Sequence, residues 1–178
     1  MKEKGFAGMS ARELANDLEF SKANFFYHFR SKEELLYRIF VDTLEHFIRH
    51  VEEILARPDS AEAKLRALID FYTQQMFDRS AVMTVWFKER GHLSRQHANH
   101  AGQLEDRLIA TIAQFYEQAI KGGDFRPLNP VIARMAIFGM CFNFTRRPQL
   151  RDELTMETIS EQLQEIACKG LLDPRSLP

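Results

Sequence analysis

The sequence predicts an all-α fold, a small N-terminal helix-turn-helix unit joined by one long helix to a larger helical unit. Three observations predict it. Apolar residues recur at three- and four-residue spacing along most of the chain, with no strand-like alternation. Polar capping residues and Gly or Pro stops cut that periodic text into discrete helices. The length of 178 residues, with 45% hydrophobic residues, suits one substantial helical core with a small appended unit.

Ser10-Ala-Arg-Glu13 is a capping-box pattern that opens a short helix carrying Leu14, Ala15 and Leu18. Ser21 caps a second short helix running to about Tyr27. Ser31-Lys-Glu-Glu34 opens a long helix with two acidic residues at its positive end. Its stripe is Leu35, Ile39, Phe40, Leu44, Phe47, Ile48, Val51, Ile54 and Leu55, and Pro58 marks its end. Leu65, Leu68, Ile69, Tyr72 and Met76 share a face of a helix near Ala61 to Phe77, and a shorter helix ends near Gly91. A long helix bearing Leu104, Leu108, Ile112, Phe115 and Ala119 stops at Gly122-Gly123. Asn129-Pro130 starts the next helix, which Pro148 closes by about Arg147. Thr155 caps the last helix, whose stripe Met156, Ile159, Leu163, Ile166 and Ala167 ends at Gly170. The division is therefore residues 1–36 and 37–178.

The net charge of −1 gives no global attraction to nucleic acid or anionic membrane, so any such contact needs a local patch. Cys141 and Cys168 form no CxxC pair, and buried thiols in a reducing cytoplasm are favoured over a redox switch at Cys141. The richest apolar stretch, Val131 to Phe144, contains Arg134 and is too short to span a bilayer. A cytoplasmic protein without a membrane partner is expected. No Ser/His/Asp set, paired-carboxylate motif or glycine-rich phosphate loop supports catalysis, and no cofactor is implied. His92, His97 and His100 lie five and three apart and cannot share one helical face, so a solvated loop and helix start is favoured over a metal site.

The two short N-terminal helices are joined by Leu18-Glu19-Phe20, which is helix-turn-helix spacing. Phe25 and Phe29, four apart, share a packing face, while Lys22, Asn24, Tyr27 and His28 form the polar complement. Lys22 suits a phosphate, Asn24 a base edge or phosphate, the Tyr27 hydroxyl a phosphate oxygen, and Lys32 a further backbone contact. A corner of a helical bundle with a solvated polar face fits this geometry equally well. Met1 to Phe40 carries seven Lys/Arg against six Asp/Glu, a weak electrostatic footprint.

The string MSARELANDLEFSKANFFYHFRSKEELL resembles the DNA-binding segment of the TetR family of repressors. Leu14-Ala15, Ser21-Lys22, Tyr27-His28-Phe29 and Ser31-Lys32-Glu33-Glu34-Leu35 carry the resemblance. It implies a homodimer on a double-stranded, pseudo-palindromic operator, with Ser10, Ser21, Lys22, Asn24, Tyr27, His28 and Lys32 on the DNA side. The family begins with a further helix before the glycine matched by Gly5, where this chain has Met1 to Lys4. Truncation relative to the functional protein is expected; a helical ligand-binding dimer that does not bind DNA is the alternative.

The stretch PVIARMAIFGMCFNF is apolar on nearly every side, so it must be buried on nearly every side, by its own core and by a partner or ligand. Ala133, Ala136 and Gly139 permit close approach of another helix. Together with Ile159, Leu163 and Ile166 they suit a four-helix interface, as the resemblance also implies. Tyr72, Met76, Trp86, Phe87, Phe115, Met135, Phe138 and Phe142 read as core, and the resemblance implies that such residues line an effector pocket. The segment from Phe115 to Thr145 is similar to a subgroup answering to acyl-CoA thioesters or related lipids, which implies a small hydrophobic or acyl-CoA-like effector. Arg134 suits either a structural ion pair or a ligand carboxylate or phosphate.

Overall fold

The computed structural model describes residues 29–144 and 153–171. Among them are six α-helices and one 3-10 turn, with no β-strand. The helices are α1 (Lys32–Leu55), α2 (Ala61–Asp78), α3 (Ser80–Glu89), α4 (Arg95–Gly122), α5 (Pro130–Asn143) and α6 (Met156–Leu171), and the turn Arg90–His92 follows α3. No described helix is long and apolar enough to cross a membrane.

Local chemistry sets the helix ends. The Ser31 hydroxyl accepts from the Glu34 N–H (3.0 Å), and the Glu34 carboxylate reaches back to the Arg30 N–H (2.8 Å). This is a capping box displaced by one residue at its return bond. Ser60 caps α2 by accepting from the Ala63 N–H at 3.2 Å, and Thr155 caps α6 by accepting from the Thr158 N–H at 3.2 Å. The Asn129 Oδ1 accepts from both the Val131 and Ile132 N–H groups at 2.9 and 3.4 Å, with Pro130 in the first turn of α5. Gly123 adopts φ +84°, a backbone that L side chains rarely take. The Asp124 and Phe125 N–H groups then both close on the Ala119 carbonyl, ending α4. The expectation that α5 runs to about Arg147 lies partly outside the described residues.

Contacts divide the chain into two compact units, Met1–His46 with Ala81–Asp106, and Phe47–Ser80 with Arg107–Pro178. The boundary expected after residue 36 divides the chain differently, and α1 and α4 each contribute residues to both units.

In the first unit, α1 buries Leu35, Leu36, Phe40, Val41 and Leu44. Ile39, assigned from its spacing to the apolar stripe, is only half-buried, and its carbonyl accepts from the buried Thr43 hydroxyl at 2.6 Å. Trp86 packs edge-on against Phe40, ring centroids 4.5 Å apart, with the Arg90 guanidinium over its face at 5.4 Å.

In the second unit, α2 packs against α6 and α5. It is buried on a wide face: Leu65, Leu68, Ile69, Phe71, Tyr72, Thr73, Gln75 and Met76. That face adds Phe71, Thr73 and Gln75 to the narrower stripe read from spacing. The Ser160 hydroxyl donates to Asp70 at 2.8 Å, and the Arg126 N–H donates to the Leu171 carbonyl at 2.8 Å, tying α6 to α2 and to the loop before α5. Helix α6 continues through Gly170 to Leu171 and buries Ile159, Ser160, Leu163, Ala167, Cys168 and Leu171. Ile166 is instead 59% exposed, because Ala167 and Cys168 take the inward positions of that turn.

Candidate functional site

Of the residues assigned to the DNA side, Ser10, Ser21, Lys22, Asn24, Tyr27 and His28 lie outside the described residues. Lys32 is half-buried in the first turn of α1. Beside it, Glu33 accepts from the Ser94 N–H at 2.8 Å and from His97 Nδ1 at 2.8 and 3.0 Å. The Tyr37 ring stacks on His97 with centroids 3.8 Å apart, and its hydroxyl lies 2.8 Å from His100 Nδ1. Burial pushes the Glu33 carboxyl up, but the hydrogen bonds from Ser94 and His97 outweigh it and hold it below its ordinary value. The start of α1 is thereby fastened to the start of α4 within one compact unit. His92 and His100 are exposed around the start of α4, as expected for a solvated loop and helix start, while His97 is half-buried by this contact, which joins residues more than sixty positions apart. Among the described residues, no group of three or more His, Cys, Asp or Glu is placed to hold a metal ion.

The residues assigned to a pocket separate into three groups. Tyr72, Met76 and Phe115 are buried in the second unit, and Trp86 is buried in the first. Phe138 meets Tyr72 edge-on at 5.8 Å and stacks with Phe142 at 6.0 Å, which brings these three rings together. Phe87 and Met135 are 46% and 61% exposed in the chain, so they line no interior. Sequence reading misses Tyr116 and Phe125, which form an aromatic group with Phe115 at centroid distances of 5.4 to 5.7 Å. Their spacing carries a signal, since Tyr116 is adjacent to the predicted stripe.

Helix α5 explains this division. Ala133, Ile137 and Cys141, each four apart, are buried. The neighbouring row, Arg134, Phe138 and Phe142, is half-buried. A third side, with Ile132 (67%) and Met135 (61%) and the small residues Ala136 and Gly139, is exposed. The interface residues read from sequence therefore split. Ala133, Ile159 and Leu163 are buried within the single chain, whereas Ala136, Gly139 and Ile166 face outward. A Cβ added at Gly139 would meet nothing within 4 Å, so packing inside one chain does not call for glycine there.

The interior beside Arg134 is polar in a restricted way. Its Nε is buried and has no hydrogen-bond partner among the described residues. Burial raises the Tyr72 and Tyr116 hydroxyls well above their ordinary value, and the Arg134 charge acts on both in the opposite direction. Burial pushes the Cys141 thiol up to about 11, although the Thr73 hydroxyl donates to its sulfur at 3.8 Å. These phenols and this thiol stay protonated at neutral pH and offer hydrogen bonds, not nucleophiles.

Residues 1–39 match the family described as bacterial regulatory proteins, tetR family, and residues 58–171 match the tetracyclin repressor-like C-terminal domain. No curated protein matches the chain in sequence. Among solved structures, the fold is similar to that of PfmR, a TetR family transcriptional regulator from Thermus thermophilus, with a TM-score of 0.83 and 23% identity over 95% of this chain and 92% of that one. It is similar to KstR2, a ketosteroid transcriptional regulator of Mycobacterium tuberculosis, with a TM-score of 0.84 and 18% identity over 96% and 88%. It is also similar to AibR, solved with isovaleryl coenzyme A and operator DNA, with a TM-score of 0.79 and 20% identity over 92% and 89%. At these identities the three structures establish the fold alone.

Proposed function

The chain belongs to the tetR family of bacterial regulatory proteins, and from that premise we propose that it is a dimeric repressor released from its operator by a small apolar or acyl-CoA-like effector. The observation that carries the reading is the order of the two family matches, a DNA-binding segment at 1–39 and an effector-type domain at 58–171. Ser10, Ser21, Lys22, Asn24, Tyr27, His28 and Lys32 contact the operator, and the second short helix enters the major groove. A two-fold dimer sets two such helices roughly 34 Å apart, one turn of the duplex.

The exposed apolar side of α5 supports the dimer. Val131, Ile132 and Met135 are each more than half exposed in the isolated chain, as is Ile166 on α6. An apolar surface beside small residues is what a second helix pair can cover closely. For the effector, Tyr72, Phe138 and Phe142 supply an aromatic wall, and the AibR complex with isovaleryl coenzyme A supports an acyl thioester as its class. Effector binding favours a dimer whose half-site spacing no longer fits. A coupling of about 1–3 kcal/mol corresponds to roughly 5–150-fold weaker operator binding.

The test selects duplexes from a random pool with the purified protein, then titrates the winner at fixed salt with and without acyl-CoA thioesters of graded chain length. A selected palindrome released by one chain-length class supports the reading. Failure to enrich any sequence contradicts it.

A further inference from the structure

The structure assigns Arg134 as the anchor for an oxyanion carried at the end of an acyl chain. This assignment deepens the effector half of the proposed function and rests on it. Three observations point to Arg134. First, its Nε is a buried charged donor without an acceptor among the described residues, and buried donors are nearly always satisfied in folded proteins. An arginine cannot shed its proton to escape this cost, so the acceptor must come from outside the described chain.

Second, the Arg134 charge acts on buried hydroxyls carried by two other helices of its unit. Tyr72 of α2 and Tyr116 of α4 feel its charge, and Cys141 lies further along α5 and acts on both phenols. Both phenols are buried and hold their protons, so neither supplies the guanidinium with an anion. None of the ion pairs among the described residues involves Arg134, which leaves the guanidinium open to an anion brought by a ligand.

Third, Arg134 begins the half-buried row that continues as Phe138 and Phe142, with Tyr72 edge-on to Phe138. A cation at one end of an apolar, aromatic strip matches an amphiphile with an anionic end and a hydrocarbon body. The anion can be the carboxylate of a free fatty acid or a phosphate of an acyl thioester. Both offer the paired oxygens that a guanidinium binds best.

Isothermal titration of the full chain, without DNA, distinguishes these sources with three probes of equal chain length: laurate, lauroyl-CoA and dodecanol. At least one anionic probe should bind roughly 10- to 100-fold more tightly than the alcohol. Arg134→Met should abolish that preference while leaving dodecanol affinity unchanged. Arg134→Lys, which keeps the charge and protects against a folding failure, should retain part of it. Preference for laurate identifies a carboxylate, and preference for lauroyl-CoA a phosphate. If dodecanol binds as tightly as both, if no probe binds, or if Arg134→Met leaves the preference intact, the assignment is overturned. A chain that binds laurate through Arg134 but selects no DNA keeps this site and loses the repressor reading. A chain released from its operator by an uncharged effector, unaffected by Arg134→Met, does the reverse.

Discussion

Ile132→Asp should convert the proposed dimer into a monomer that is still folded. Ile132 is 67% exposed in the isolated chain, and the fold itself therefore gains little from its side chain. Fully burying an isoleucine is worth about 1.5–3 kcal/mol, so covering the exposed two thirds contributes about 1–2 kcal/mol. An aspartate at the same point adds a carboxylate that loses water without gaining a partner, at a cost of about 1–3 kcal/mol. A two-fold interface repeats each change, which brings the total to about 4–10 kcal/mol, or roughly three to seven orders of magnitude in dissociation constant. Sedimentation velocity across a wide concentration range reads that shift, and far-ultraviolet circular dichroism reports whether helix content is kept. An unchanged dimer, or a variant that unfolds, would refute the placement of the interface on this side of α5.

Three further outcomes follow from local geometry. Glu33→Gln should lower stability by about 1 kcal/mol in urea unfolding, at the low end for a charged hydrogen bond because the pair is partly exposed. Since the folded Glu33 carboxyl is held below its ordinary value of 4.5, its contribution is present above that pH and lost as pH falls through the folded value. The wild-type advantage over Glu33→Gln should therefore shrink as the solution is acidified, and an advantage that stays constant through the acid range would contradict the assignment. Asn129→Ala removes the acceptor for two N–H groups at the start of α5 and should cost about 1 kcal/mol, a fall of roughly 2–4 °C in melting temperature. Cys141 should resist iodoacetamide at pH 8 until denaturant is added, because burial holds its thiol near 11; mass spectrometry showing rapid labelling of the folded chain would contradict that.

Most helix ends are legible in the sequence because their chemistry is local. Ser31 with Glu34, Asn129-Pro130, Thr155 and Gly123 each act within a few residues of themselves. Faces are harder to read. Helix α5 is apolar on almost every side, so periodicity cannot say that Ala133 turns inward while Ala136 and Gly139 turn outward. On α6, Ile166, Ala167 and Cys168 are consecutive apolar residues, and only packing on α2 leaves Ile166 outside. Trp86 and Phe87 are neighbours in sequence, yet one is 7% and the other 46% exposed. The Glu33–His97–Tyr37 cluster has no sequence signal, since its members meet only through the fold. Arg134 is legible as an anomaly, a cation in an apolar helix, but its lack of a partner among the described residues required three-dimensional neighbours.

Whether one chain binds operator DNA and gives it up to an effector is read most directly by fluorescence anisotropy. A selected palindromic duplex is titrated with the protein at several salt concentrations, with and without the effector. The expected result is tight binding with a steep salt slope that Lys32→Ala reduces by about one contact, and roughly 5–150-fold weakening when the effector is added. Binding that ignores both the effector and Lys32→Ala would contradict it.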